Sequence, residues 1–86
     1  MEATAACRRV IELDREDLRG YRCLGSLFMH QSLFEEARKI YAEGVERFAE
    51  DDALRYGLGT AYEELGRYAE AEEAYAKATR LLQKGE

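Results

Sequence analysis

The tripeptide Leu24-Gly25-Ser26 returns as Leu58-Gly59-Thr60, with one conservative change, at an offset of 34 residues (58 − 24 = 34). Working outward from it, the same offset pairs Glu36-Ala37 with Glu70-Ala71, Tyr41-Ala42 with Tyr75-Ala76, Phe28 with Tyr62, and Phe34 with Tyr68. A repeat of this length is typical of helical hairpins that stack side by side into a solenoid. The period therefore predicts an all-α fold made of repeated helix pairs.

Apolar spacing agrees with that prediction. Apolar side chains recur at i, i+3, i+4 and i+7, the single stripe of an amphipathic helix, in five stretches that cover about 3–11, 17–31, 37–48, 54–65 and 71–82. No stretch alternates long enough for a strand. The breaks between the stretches are short, so consecutive helices are expected to pack antiparallel.

Each break contains a residue that can end or begin a helix. Asp17 and an aspartate of Glu50-Asp51-Asp52 are predicted N-caps. Ser32 is predicted to cap the third helix, with Glu35 in the capping-box position three residues later. Gly66 is predicted to end the fourth helix in the left-handed conformation.

Taken together, these residues resemble the tetratricopeptide repeat family. One unit fits residues 18–51 and a second fits 52–85, while residues 1–17 match the second helix of a preceding unit. The matching residues are Tyr21, Leu24, Gly25, Phe28, Ala37, Tyr41 and Gly44, then Leu58, Gly59, Tyr62, Gly66, Tyr68, Ala71, Tyr75 and Ala78. Where the family often has proline, this chain has Arg15, Ala49 and Gln83.

The resemblance implies a single domain in which about five antiparallel helices form a right-handed α-solenoid. It also implies which residues pack. Gly25 opposite Ala37 and Gly59 opposite Ala71 are expected to let paired helices approach closely. Tyr41 and Tyr75 are expected to fill the space between hairpins.

In that family the first helix of each unit lines a concave groove that binds peptides or proteins. The corresponding residues here are Arg19, Arg22, Ser26, Met29 and His30, then Ala53, Tyr56, Thr60, Glu63 and Glu64. The resemblance thus implies a partner-binding site at Arg19, Arg22, Ser26, Met29, Tyr56, Thr60 and Glu63, for an acidic or mixed-charge segment. The lysine–asparagine clamp of co-chaperone members is absent, because its places hold Arg22 and Ser26, then Tyr56 and Thr60.

Composition narrows the remaining functions. The net charge is −5 with no long basic run, which argues against nucleic-acid binding. There is no apolar run of membrane-spanning length and no secretory signal at the start. Two cysteines, Cys7 and Cys23, are too few for a disulfide scaffold and are predicted to be unpaired core residues. The expected location is therefore the reducing cytoplasm.

The residues that carry catalysis elsewhere do not converge here. Cys23 and the single histidine, His30, are two helical turns apart, roughly 10 Å, which is too far for a nucleophile–base pair or a zinc site. Adjacent glutamates such as Glu63-Glu64 diverge by about 100° around a helix and form no acid–base pair. The sequence predicts no enzyme, no metal and no cofactor.

Two classes of function remain open. The first is a module that binds another protein through the groove. The second is a self-associating structural piece, since Val10, Ile11, Leu81 and Leu82 are expected to be partly bare. Self-association is expected either by end-to-end stacking or by helix exchange across 48–54, a link without proline or glycine.

Overall fold

Four helices form the greater part of the fold. A computed structural model describes residues 7–9, 11–12 and 17–84. They contain α1 (Leu18–His30), α2 (Phe34–Arg47), α3 (Asp52–Glu64) and α4 (Tyr68–Lys84). Residues 7–9 and 11–12 are also helical and are called the N-terminal helical segment below. Within these ranges there is no strand, so the all-α prediction is confirmed, and the segment and four helices correspond to the five predicted stretches.

Each helix packs on the next one, and α1 also contacts α3. This pattern defines two hairpins, α1–α2 and α3–α4, that lie side by side. The largest fully buried side chains are Tyr21 and Leu24 from the first hairpin and Leu54 from the second. The core is therefore continuous across the hairpins, as expected when one hairpin alone cannot cover its apolar face.

The two hairpin turns share one geometry, 34 residues apart. After α3, Gly66 has φ 80°, its N–H donates to the carbonyl of Glu63, and Arg67 N donates to Tyr62 O. These two bonds form a Schellman motif, which requires a left-handed residue just beyond the helix. After α1, Ser32 occupies the same position with φ 61°. The prediction for Gly66 is thus confirmed.

The predicted capping box at Ser32 is wrong. The N-cap of α2 is Leu33, which makes no side-chain cap bond, because Ser32 is used one residue earlier to end the α1 turn. Glu35 does not reach back to a backbone N–H; it accepts instead from Arg38 Nε at 2.7 Å. That bond lowers the pKa of Glu35.

The link between hairpins is a capped turn. Asp51 is the N-cap of α3, and its carboxylate accepts from Leu54 N at 2.9 Å. Arg22 of α1 donates to the same carboxylate, and Arg55 Nε donates to the carbonyl of Ala49 at 2.9 Å. Asp17 caps α1 in the same way as Asp51, by accepting from Arg19 N. Both aspartate predictions are confirmed, and the caps end the preceding turns in the absence of proline.

The two cysteines form a disulfide, so the prediction that they are unpaired is wrong. Cys7 and Cys23 have Cα atoms 5.7 Å apart, within the usual disulfide range. Cys7 is buried, as expected, but Cys23 lies on an exposed part of α1. The N-terminal helical segment packs on α1, with Ile11 against the core and the Arg8 guanidinium 5.7 Å from the centre of the Phe28 ring. That packing brings together two residues that are 16 apart in sequence.

The ring of Tyr41 ends where α1 meets α3. A Cβ built on Gly25 of α1 would lie 2.5 Å from Tyr41 Cζ, and a Cβ on Gly57 of α3 would lie at the same distance. The close neighbour of Gly25 is therefore this ring and not Ala37, as the sequence predicted. Likewise Gly59 lies against the ring of Tyr75, 2.8 Å from its Cε1. Glycine is needed at these positions because an aromatic side chain occupies the space of its absent Cβ.

Replacement of Gly57 by alanine tests this arrangement. Alanine normally stabilises a helix by about 1 kcal/mol relative to glycine. Here the added methyl group would overlap the Tyr41 ring, whose tip also touches Gly25, so we expect a net loss of about 1–3 kcal/mol. Urea denaturation measures the change. In a Tyr41→Leu background the same substitution should cost nothing or stabilise, and a wild-type chain that is stabilised by Gly57→Ala would contradict the packing.

Candidate partner-binding surface

The residues predicted to bind a partner lie on α1 and α3, the two helices that share a face of the fold. Of these residues Arg19, Arg22, Ser26, His30, Tyr56, Glu63 and Glu64 are exposed, whereas Met29, Ala53 and Thr60 are partly buried. Met29 packs against the core cluster. The structure therefore brings most of the predicted set to the surface, but it divides that set into two parts with different chemistry.

The arginines at one end are already paired within the chain. Arg19 Nη2 lies 2.6 Å from Asp17 Oδ2, and its hydrogen bonds hold the pKa of that carboxyl below its ordinary value. Arg22 Nη2 lies 2.5 Å from Asp51 Oδ1. Exposed pairs of this kind contribute little to stability, so a partner's carboxylate can compete for either arginine.

At the other end, α3 and α4 form a hydrogen-bonded aromatic cluster. The rings of Tyr56 and Tyr75 have centroids 5.1 Å apart and are tilted by 53°. Tyr75 Oη lies 2.8 Å from Glu63 Oε1 and 3.2 Å from Thr60 Oγ1, and Thr60 Oγ1 donates to the carbonyl of Tyr56 at 3.1 Å. The structure thus brings Tyr56, Thr60 and Glu63 together around Tyr75, and we call these four residues the tyrosine cluster.

The environment keeps the Tyr75 hydroxyl neutral. Burial raises its pKa, and the carboxylate of Glu63 raises it further, while the hydrogen bond with Thr60 has the opposite effect. Burial also raises the pKa of Tyr41. A neutral Tyr75 hydroxyl donates to Glu63, which orients the carboxylate at the edge of the exposed Tyr56 ring.

Sequence reasoning missed Tyr75 as part of this surface. It assigned the residue to packing between hairpins, yet Tyr75 is only partly buried. Because Gly59 has no side chain, the ring crosses α3 beside it and carries the hydroxyl to the polar face. The available signal was the use of tyrosine, with its polar end, at both repeat positions where phenylalanine would fill the same space.

The described residues contain no arrangement for catalysis or metal binding. In 7–9, 11–12 and 17–84 no three potential metal ligands come together. His30 is exposed at the end of α1, and Cys23 is in a disulfide, so it offers no thiolate. Among the helices of this part of the chain, none is long and apolar enough to cross a membrane.

Stacked antiparallel hairpins with an exposed polar face define the chain as an α-solenoid module. The profile of the tetratricopeptide repeat family matches residues 24–86, which is most of the chain. The chain belongs to the tetratricopeptide repeat family. Membership supports a protein-interaction or scaffold module as the general class of function, and this fold is typically non-catalytic.

Solved structures agree with the family assignment. "MamA MSR-1 C2" superposes with a TM-score of 0.89 at 19% sequence identity, covering 98% of this chain and 48% of that one. "MamA AMB-1 P212121" gives a TM-score of 0.86 at 21% identity, with 95% and 48% coverage. At such identities the likeness shows the fold, and the chain spans about half the length of these structures. No curated protein sequence matches the chain.

Proposed function

We propose that the chain is a non-catalytic module that binds a peptide or partner protein through a concave groove formed by α1 and α3. The repeat frame is 1–17, 18–51 and 52–85, and no cofactor takes part. The groove residues proposed to contact the partner are Arg19, Arg22, Ser26, Met29, Tyr56, Thr60 and Glu63.

The tyrosine cluster is the observation that carries this proposal. The Tyr56 side chain is 61% exposed although it is a large aromatic residue. Its ring is supported by Tyr75, whose hydroxyl is held by Thr60 and Glu63. A rigid exposed aromatic ring loses little conformational entropy on binding, and such residues are common binding hot spots.

Charge indicates what the groove binds. At one end Arg19 and Arg22 face carboxylates that a ligand can replace, and at the other Glu63 presents a carboxylate beside Tyr56. A mixed-charge segment satisfies both ends, with its acidic part at the arginines and an apolar or basic residue at Tyr56. Electrostatic complementarity of this kind fixes the orientation of a bound segment.

A double substitution, Arg22→Ala with Tyr56→Ala, tests the groove. A peptide selected on the wild-type chain from a displayed random library serves as the ligand, and titration calorimetry measures its affinity. We expect a loss of at least about 30-fold, since truncation of a hot-spot residue costs about 2 kcal/mol or more.

The matched control is Lys39→Ala with Glu46→Ala, two exposed positions on α2 outside the groove. The control should bind the peptide like the wild-type chain. Urea denaturation of both double variants shows whether each is folded. Unchanged peptide affinity in a folded Arg22→Ala, Tyr56→Ala variant excludes the groove as the binding site.

The second candidate function is self-association, and one observation favours it. Leu82 on α4 is 59% exposed, next to the partly buried Leu81. Ile11, at the other end of the described chain, packs only partly against the core; Val10 lies outside the described residues. End-to-end contact of two copies covers these side chains.

The contacts of the link support stacking over helix exchange. Asp51 caps α3 and is paired with Arg22, and Arg55 holds the carbonyl of Ala49, so straightening the link breaks all three interactions. Light scattering at high micromolar concentration distinguishes the cases. Leu81→Glu with Leu82→Glu should abolish a stacked dimer, Ala49→Pro a swapped one, and a monomer mass for the wild-type chain excludes both.

The compartment stays a prediction. The sequence predicted the cytoplasm, and the Cys7–Cys23 disulfide bears against it, because disulfides persist in oxidising compartments and are reduced in the cytosol. Thiol alkylation of the chain taken directly from its cells decides between them: two alkylated cysteines support the cytoplasm, and none supports an oxidising compartment.

A further inference from the structure

Two adjoining clefts lie on a side of α3 different from the groove. One, of about 280 Å³, lies between α2, α3 and α4 and includes Leu58 and Tyr62. The other, of about 300 Å³, lies between the inter-hairpin link and the C-terminal half of α4. Arg55 and Lys77 line both, so the clefts form one continuous depression.

The second cleft has an excess of positive charge, and we call it the cationic cleft. Arg55, Lys77 and Arg80 line it together with a single acidic residue, Glu50. Its remaining walls, Ala49 and Leu81, are apolar. Positive charge is notable here because the whole chain carries a net charge of −5.

Two of these cations have no acidic partner among the described residues. Arg55 uses Nε to bind the carbonyl of Ala49, which leaves its terminal N–H groups for another acceptor. Arg80 takes part in none of the ion pairs of the described chain, whereas Lys77 lies 3.1 Å from Glu73. By contrast, both groove arginines are paired. The uncompensated positive charge is therefore in the cationic cleft and outside the groove.

We propose that the cationic cleft is a second docking site, which binds an acidic segment of a partner protein. A carboxylate of that segment lies between Arg55 and Arg80, and an adjacent leucine-sized residue packs on Leu81 and Ala49. Arginine suits this role because its planar group can form two parallel hydrogen bonds to one carboxylate. The site is independent of the groove and adds a second point of attachment to the same module.

The size of the cleft and its surroundings favour a peptide over other anions. A volume of about 300 Å³ is at the lower limit for ligand sites, enough for one or two side chains. A nucleic acid presents a continuous row of phosphates, which would also meet Glu50, Glu70 and Glu73 around the two clefts. A short acidic segment places its charge only at the cationic end.

Fluorescence anisotropy with a labelled peptide, Asp-Glu-Leu-Glu-Glu-Leu-Asp, tests the proposal. The variant is Lys77→Gln with Arg80→Gln, and the matched control is Arg9→Gln with Lys39→Gln, which removes the same charge from exposed positions elsewhere. We expect at least a tenfold loss of affinity in the first variant and less than a twofold change in the control. Neither a peptide with lysine in place of each acidic residue nor a single-stranded oligonucleotide of equal charge should bind.

Three results would overturn the site: no binding of the acidic peptide by the wild-type chain, an equal loss in both variants, or equal binding of the oligonucleotide. The groove variant Arg22→Ala, Tyr56→Ala keeps the two proposals distinct. It should bind the acidic peptide like the wild-type chain, and a tenfold loss there would assign this peptide to the groove.

Discussion

Tyr41→Ala is expected to lower the free energy of unfolding by about 3–5 kcal/mol, the range for truncating a buried aromatic side chain. Tyr41 is only 7% exposed, and its ring tip touches the backbones of α1 and α3 at Gly25 and Gly57. Neither glycine has a side chain that can move into the vacated space. The cavity therefore stays open between the hairpins, which is the condition under which truncation costs most. Urea or thermal denaturation measures the loss.

Tyr75→Ala is the comparison built into the repeat. Tyr75 occupies the same place 34 residues later but is only partly buried and has one glycine, Gly59, against its ring. Its truncation should cost clearly less than that of Tyr41. Because an 86-residue domain has a total stability of only about 4–13 kcal/mol, Tyr41→Ala can unfold the chain outright. In that event Tyr41→Leu gives the measurable value, and a larger loss for Tyr75 than for Tyr41 contradicts the packing.

Breaking the Cys7–Cys23 disulfide is expected to lower stability by about 3 kcal/mol, the chain-entropy value for a loop of roughly 15 residues. The bond joins the N-terminal helical segment to α1 with a sequence separation of 16. Beyond this bond, Ile11 and the Arg8–Phe28 contact are what hold the segment among the described residues. Cys23→Ser, or dithiothreitol added to the wild-type chain, should therefore shift the denaturation midpoint downward.

Two controls separate the bond from the side chain. Dithiothreitol should have no effect on Cys23→Ser, and hydrogen exchange should rise first in residues 7–12 and in α1, well before α3 and α4. Exposed Cys23 makes the bond accessible to an attacking thiolate. A wild-type midpoint that does not move with reductant means that the segment is held by packing alone.

Much of the fold was predictable from periodicity, because the 34-residue register determines which residues share a face. The α3–α4 turn and the aspartate caps followed from local chemistry, since Gly66, Asp17 and Asp51 satisfy backbone groups a few residues away. Ser32 was misassigned because a serine at a helix boundary has two uses. It can cap the next helix or, as here, take the left-handed position that ends the previous one.

The tertiary pairings were less accessible. The disulfide depends on how the N-terminal helical segment lies on α1, and cysteine density carries no information about that packing. Gly57 was missed because its 34-residue equivalent, Cys23, is not glycine. The exposure of the groove residues was foreseen, but the pairing of Arg19 and Arg22 was not, since it depends on side-chain directions at helix ends. The cationic cleft likewise joins residues from the inter-hairpin link and α4 that no single motif connects.

The placement of Tyr41 also bears on the shape of the module. Its side chain comes from α2, yet it sets how closely α1 and α3 lie, because their glycines meet at its ring. The separation of those two helices determines the curvature of the superhelix and the width available to a bound segment. Substitutions at Gly25, Tyr41 or Gly57 therefore adjust ligand preference from inside the protein, with every contact residue left in place.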